Sequence, residues 1–285
     1  MLCTRKLAPT FASLVTLMAL SSNAEAQRRD WDPDSHREAA GADIWLWALP
    51  HAEFFSTAPL FFLNVEPVDD FWIDVWFPWN MAVGDPFFDD AVAGIGNPSI
   101  QFRYGPKMGI TRWWVGGGVG LPMSEIDGYS WDTANGLGAA SMGYYNIFLW
   151  ADYMPLWATG GADIRVVDFM SIQVSGEPMI FFDVDDDSPD TVEFAIQTRA
   201  GVEFRDPGSG VGGGIHLKLF WWPTEDFIDN DLFQASLHPF FAYTGDVFLL
   251  RFGLLFALDE PLGPFFDEGP DLNVFSQNLV VGGQW

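Results

Sequence analysis

Val192–Arg205 reads VEFAIQTRAGVEFR, and its two alternating sets of side chains decide the fold. Val192, Phe194, Ile196, Thr198, Ala200, Val202 and Phe204 form one set. Glu193, Ala195, Gln197, Arg199, Gly201, Glu203 and Arg205 form the other. A helix would scatter both sets around its circumference, whereas a strand gives each its own face. At about 3.3 Å per residue the segment is roughly 46 Å long. Tilted by about 45°, it covers roughly 30 Å, the thickness of a bilayer's hydrocarbon core. Soluble strands run to about five or six residues. One greasy face and one wet face over this length predict a strand that crosses a membrane.

Working outward, the period of two recurs. Ile100, Phe102 and Tyr104 alternate with Ser99, Gln101 and Arg103. Trp113, Val115, Val119 and Leu121 alternate with Arg112 and glycines, and Ile164–Val174 opposes Asp163, Arg165, Ser171 and Gln173. Further alternating segments cover 215–221, 234–243 and 248–256. With 60–66, 71–79, 142–153, 177–184 and 274–285, about twelve strands are predicted, ten to fourteen being compatible with the pattern. Connections rich in Gly, Pro and Asp are expected at 83–95, 122–138, 183–191, 223–233 and 259–273. Asp43–Phe55 reads either as a first strand or as a short interfacial helix.

Composition points the same way. Of 285 residues 16% are aromatic, including 14 Trp and 27 Phe, yet the longest uncharged stretch, 133–151, is too broken by Gly, Asn and Ser for a transmembrane helix. Only helices and closed barrels satisfy the backbone in hydrocarbon. The expected fold is therefore all-β, a closed transmembrane antiparallel barrel. Residues 1–26 resemble a secretory leader, with Arg5 and Lys6, an apolar run from Leu7 to Leu20 and an Ala24-Glu25-Ala26 cleavage site. An uncleaved N-terminal anchor is the alternative. The expected division is a cleaved signal peptide at 1–26, a polar and aromatic segment at 27–58, periplasmic or plug-like, and the barrel at 59–285. The single cysteine, Cys3, falls in the leader, so no disulfide or thiol metal site is expected after cleavage.

Acids outnumber bases by 39 to 13. Losing Arg5, Lys6 and Glu25 with the leader leaves 38 against 11, a charge of −27. That excludes nucleic acid as a partner, because phosphate binding needs a basic surface. The acids crowd the connections, whereas Arg103, Arg112, Arg165, Arg199, Arg205, Lys218 and Arg251 fall on the polar faces of predicted strands. A charge facing lipid at the midplane costs about 2–4 kcal/mol, so these groups are expected to point into the lumen. They form either a cationic, solute-selecting constriction or a network paired with Glu193, Glu203 and Asp163, and the pairing of buried charges favours the network. His216 and His238 join the lumen-lining candidates.

The last strand ends Leu279-Val280-Val281-Gly282-Gly283-Gln284-Trp285. Its alternating Leu279 and Val281 and terminal Trp285 resemble the targeting signal that the barrel-insertion machinery reads. Gly94-Ile95-Gly96-Asn97-Pro98 leading into SIQFRY resembles the GxG-[DN]-P strand opening of the phenol-degradation meta-pathway and FadL-like channels. That resemblance covers only this stretch, without a FadL-type N-terminal hatch motif, and implies passage of hydrophobic or aromatic compounds.

Asp183, Asp185, Asp187 and Asp190 alternate as in a calcium loop but lack its sixth-position Gly and distal Glu. A solvated acidic turn is the plainer reading, with Ca²⁺ as the one cofactor it would take. Acidic loops could also bridge lipopolysaccharide through divalent ions. No hydrolase motif surrounds the histidines, Ser236 and His238 being the nearest approach to a nucleophile and base, so no enzyme is expected. The functional expectation is a Sec-exported bacterial outer-membrane channel or transporter for small solutes. A non-conducting structural or adhesion barrel and a soluble periplasmic binding barrel are the alternatives.

Overall fold

The computed structural model describes residues 38–49, 54–84, 88–123, 138–143, 145, 146, 149, 153–183, 192–206, 208–227, 230–258 and 275–284. Fourteen strand segments are present: β1 (Ala39–Leu49), β2 (Phe54–Val68), β3 (Phe71–Gly84), β4 (Phe88–Ile95), β5 (Ser99–Tyr104), β6 (Lys107–Met108), β7 (Thr111–Gly120), β8 (Tyr153–Val167), β9 (Met170–Asp183), β10 (Val192–Arg205), β11 (Val211–Phe227), β12 (Asn230–Thr244), β13 (Phe248–Ala257) and β14 (Phe275–Gln284). All pairings are antiparallel. β4 and β5 both pair with β3, and β5 and β6 both pair with β7, so these three pieces make one broken stave. The barrel therefore has twelve staves. It closes where β1 pairs with β14, from Ala39↔Gln284 to Trp47↔Ser276.

Burial is inverted relative to a soluble protein. Along β10, Glu193, Gln197, Glu203 and Arg205 are buried while Val192 and Phe204 are exposed. Outward-facing Val75, Phe102, Val115, Leu156, Val174, Leu217 and Phe252 continue an exposed apolar belt around the staves. A soluble barrel would turn these residues inward, so the soluble alternative is overturned. Exposed aromatics gather at two levels. Tyr104, Phe204, Tyr243 and Phe248 lie near one end, and Trp79, Trp221, Phe233, Phe256 and Phe275 near the other, the girdles expected at membrane–water boundaries.

The two ends differ in their connections. Tight turns at Asp69–Asp70, Gly109–Ile110 and Asp168–Phe169 share one end with the pairing of Ala39 and Gln284. The opposite end carries 121–152, 184–191 and 258–274. By the usual arrangement of such barrels the short turns are periplasmic and the long loops external. In the β10–β11 turn, the Ser209 hydroxyl and the backbone N–H groups of Gly208 and Ser209 hold the Asp206 carboxyl below its usual range. Glycines let Trp rings lie flat on the β7–β8 wall. A Cβ at Gly118 would meet the Trp157 ring at 2.2 Å, and one at Gly161 would meet the Trp114 ring at 2.3 Å.

Several expectations need correction. Residues 39–49, placed before the barrel in the 27–58 segment, form a complete stave, and β2 already starts at Phe54. Of residues 142–153, the described 142, 143, 145, 146 and 149 are turn or helical in place of the expected strand; β8 begins at Tyr153, and Met142 and Leu149 lie inside the barrel. The run 163–174 crosses the Asp168–Phe169 turn. The connections expected at 83–95 and 223–233 are largely occupied by β4, β11 and β12. Residues 1–37 fall outside the described part.

Folded barrels keep their shape in cold SDS, so the unboiled protein is expected to migrate apart from the boiled one. Leu217→Arg puts a cation on the lipid face between the girdles and is expected to lower stability by about 2–4 kcal/mol, read by urea unfolding in vesicles. No loss in L217R would mean that this face does not meet acyl chains.

Candidate functional site

Inward-facing side chains divide the lumen into two levels. Toward the periplasmic end they enclose a cavity of about 300 Å³, whose wall includes Arg103, Arg112, Arg199, Arg251, Glu203 and His216. Arg165 and Arg205 occupy the periplasmic rim, where their backbone N–H groups donate to Ile110 and Phe169 carbonyls at 2.8 Å. Lys218 and His238 lie buried beside Trp45, His238 directly across the ladder from His216. All seven predicted cations thus sit on inner faces, although only four reach the cavity.

Arg103 Nε donates to Asp74 Oδ2 at 2.6 Å, and Asn64 donates to the other Asp74 oxygen. Glu203 meets His216 Nε2 at 2.9 Å, and Glu193 accepts from the Tyr153 hydroxyl at 2.9 Å. Asp163 stands across the ladder from Arg112. Aromatic faces supply further cation contacts. The Arg112 and Arg103 guanidinium groups lie 5.7 and 5.9 Å from the Trp72 ring, and that of Arg251 lies 4.5 Å from Phe240. Each such contact contributes about 0.5–2 kcal/mol. Asp43 and Asp74 were missed because each is a lone acid in an aromatic strand, IWLW after Asp43 and Trp72-Ile73-Asp74-Val75-Trp76 around Asp74. The alternation that places Trp72 and Trp76 inside also places Asp74 there.

Above the cavity the β7–β8 connection folds inward. Gly138–Ser141 makes one helical turn, and Ala139, Met142 and Leu149 join an apolar cluster with Trp45, Trp157, Phe181, Phe220, Trp222 and Leu255. Gln197 Oε1 accepts from Asn146 N at 2.7 Å, while Gln197 Nε2 donates to Glu177. The Lys218 ammonium lies 4.7 Å from the Trp45 ring and 4.8 Å from the Tyr145 ring. Asn97, in the break between β4 and β5, ties the roots of this connection to the wall. Its N–H donates to the Leu149 carbonyl at 2.6 Å, its Nδ2 to the Tyr153 carbonyl at 3.2 Å, and its Oδ1 accepts from Met123 N at 3.0 Å. The Gly94–Pro98 motif is thus a staple between wall and loop.

The other candidates are soon placed. Asp183 ends β9 opposite Tyr153, and Asp185, Asp187 and Asp190 lie outside the described residues. Leu279 and Val281 face outward on β14, and Trp285 also lies outside the described residues. Ser236 and His238 are not hydrogen-bonded to each other. Ser236 lies under Gly143, and His238 lies against Trp45 and Phe240.

No protein-family model matches the sequence, and no curated protein matches it. In three dimensions the chain is similar to an outer membrane channel from Pseudomonas putida F1, at 11% identity and a TM-score of 0.61, over 92% of this chain and 100% of that one. It has an outer-membrane barrel fold. Looser likenesses include OmpF of Salmonella typhi in complex with daunomycin (7% identity, TM-score 0.40, 87% and 96% covered) and the CymD monoaromatic hydrocarbon channel (8%, 0.38, 95% and 91%). The resemblance to FadL-like channels therefore rests on Gly94–Pro98 alone.

Arg103→Ala would take the paired cation from the fully buried Asp74 carboxylate and is expected to cost about 3 kcal/mol of stability, with Asp74→Asn in the same chain recovering most of it. Urea unfolding of the three variants in vesicles checks this. Equal stability of R103A and the parent would remove the pair from the account.

Proposed function

We propose that this protein is a passive outer-membrane channel for small solutes, favouring neutral or amphipathic molecules with an aromatic body. The observation that carries the reading is the lumen itself. Where a filled structural barrel packs side chains from wall to wall, this one keeps about 300 Å³ of space bounded by charged and amide groups. That volume is at the lower end for small-molecule sites.

Two features set the solute class. The cavity wall carries Arg103, Arg112, Arg199 and Arg251 against Asp43, Asp74, Asp163, Glu177 and Glu203, so fixed charge nearly cancels and strong selection by ion sign is not built in. Trp72, Trp76 and Trp114 present aromatic surface to the same space, which suits a flat apolar ring. The acidic external connections raise the local concentration of cations at the mouth. Export, insertion through the C-terminal strand and contact with lipid and lipopolysaccharide belong to the same reading.

One observation favours a second reading, a non-conducting structural or adhesion barrel: the apolar cluster around Met142 and Phe220 fills the level above the cavity. Planar-bilayer recording and proteoliposome swelling separate the two. The channel reading expects discrete conductance steps, a reversal potential near zero in a salt gradient, and faster swelling in a monocyclic aromatic alcohol than in a disaccharide. Insertion without conductance or swelling, under every voltage applied, gives the structural reading.

A further inference from the structure

His216 borders the cavity and is 1% exposed, yet its ring is hydrogen-bonded along one edge only. The Cδ2–Nε2 edge rests on β10, in the space that a Cβ at Gly201 would need, and Nε2 meets Glu203 Oε1 at 2.9 Å. A carboxylate only accepts, so Nε2 carries the proton and Nδ1 of the neutral ring offers a lone pair. Nδ1 is buried and has no hydrogen-bond partner among the described residues. It sits on the ring edge turned away from Gly201. Directly across the ladder, fully buried His238 repeats the condition, with neither ring nitrogen partnered among the described residues.

Buried polar atoms are nearly always hydrogen-bonded, so a lone pair on a lumen wall requires a donor from what enters the lumen. The neighbouring groups narrow that donor. The His216 and Phe240 ring centres are 4.9 Å apart, and the Arg251 guanidinium lies 4.5 Å from the same Phe240 ring, so His216 and Arg251 share one corner of the cavity. Guanidinium groups only donate. One oxygen that donates to His216 and accepts from Arg251 is a hydroxyl. An ether can only accept, and an ammonium would meet the like charges of Arg199 and Arg251. The same charges oppose a metal ion, and no group of three metal-ligating side chains occurs among the described residues.

We propose that His216 is a specificity-determining residue of the lumen, whose Nδ1 accepts a hydrogen bond from the hydroxyl group of a neutral solute. The proposal rests on the channel reading and names the chemistry of its solute. Glu203 is the positioning residue, since it fixes which ring nitrogen carries the proton. β11 stands across the barrel from β3, so a solute with its hydroxyl at His216 turns its aromatic body toward Trp72 and Trp76. The two walls together read an amphipathic molecule from both ends.

Calorimetric titration of the refolded protein in detergent tests this without requiring conduction. The probes are benzene-1,4-dimethanol and its dimethyl ether, which keeps the ring and the oxygens but cannot donate. The parent should bind the diol about fivefold more tightly than the ether, the worth of one neutral hydrogen bond. His216→Phe with Glu203→Gln keeps a ring over Gly201 and leaves no carboxylate without its imidazole; it should bind the two probes equally. Glu203→Gln alone offers His216 a group that can donate or accept, so the preference should shrink while the ring stays in place. Heat-dependent gel mobility reports folding, and if the double variant does not refold, Glu203→Gln carries the comparison. Equal affinity of the parent for both probes overturns the proposal, as does an undiminished preference in the variants. A parent that discriminates but never conducts overturns the channel reading alone, whereas one that conducts without discriminating overturns the role of His216 alone.

Discussion

In hydrocarbon, each unpaired backbone N–H or C=O costs several kcal/mol, and no water is present to relieve it. The nine residue pairs from Ala39↔Gln284 to Trp47↔Ser276 are where this chain meets that constraint, because without them both the first and the last stave would be open edges. Closure by the two ends of the barrel sequence means that no stave is dispensable. It also fixes which face is which. Once the cylinder is closed, the period of two puts Gln197, Glu203 and His216 inside and Leu217, Phe204 and Val174 outside, with no third choice.

A closed cylinder with charged inner faces must then settle those charges within its own wall. Asp74 and Arg103 meet between β3 and β5, and Asp163 stands across the ladder from Arg112 between β8 and β7. Pairing across a ladder costs little chain entropy, since both backbones are already fixed. Side chains paired along the wall leave room beside them, and about 300 Å³ of space borders these same groups.

The fold was legible because its signal is geometric and repeated. Val192–Arg205 alone distinguishes a membrane strand from a soluble one, and the seven inward cations followed from the cost of placing them in lipid. The errors have physical sources. Residues 142–153 contain Tyr144-Tyr145-Asn146-Ile147-Phe148-Leu149-Trp150, as apolar as any stave, and side chains buried inside the barrel, such as Met142 and Leu149, are of the same kind as those that face lipid. Asp43–Phe55 read as either strand or helix because Asp43 is the only charge of β1 and the inner face of β1 is otherwise Ala, Gly and Trp, so the wet side lacks a polar signature. The boundary at Asp168–Phe169 was lost because two residues suffice to turn a hairpin, too few to break a hydrophobic average. Partners such as Asp43 and Asp74 depend on register between staves, which periodicity along one strand does not encode.

Asn97 shows why such register matters to more than stability. A stave that ran unbroken from Phe88 to Met108 would spend every backbone group on its neighbours and have none for a loop. The Gly96-Asn97-Pro98 break removes that stretch from the ladder, and Pro98 cannot donate in any case. The freed Asn97 N–H and both ends of its amide turn to Leu149, Tyr153 and Met123, while Gly96 N–H is kept by the Pro78 carbonyl. The wall thus gives up part of one stave's regularity and uses the released hydrogen-bonding capacity to hold both roots of the inward-folded connection at one residue.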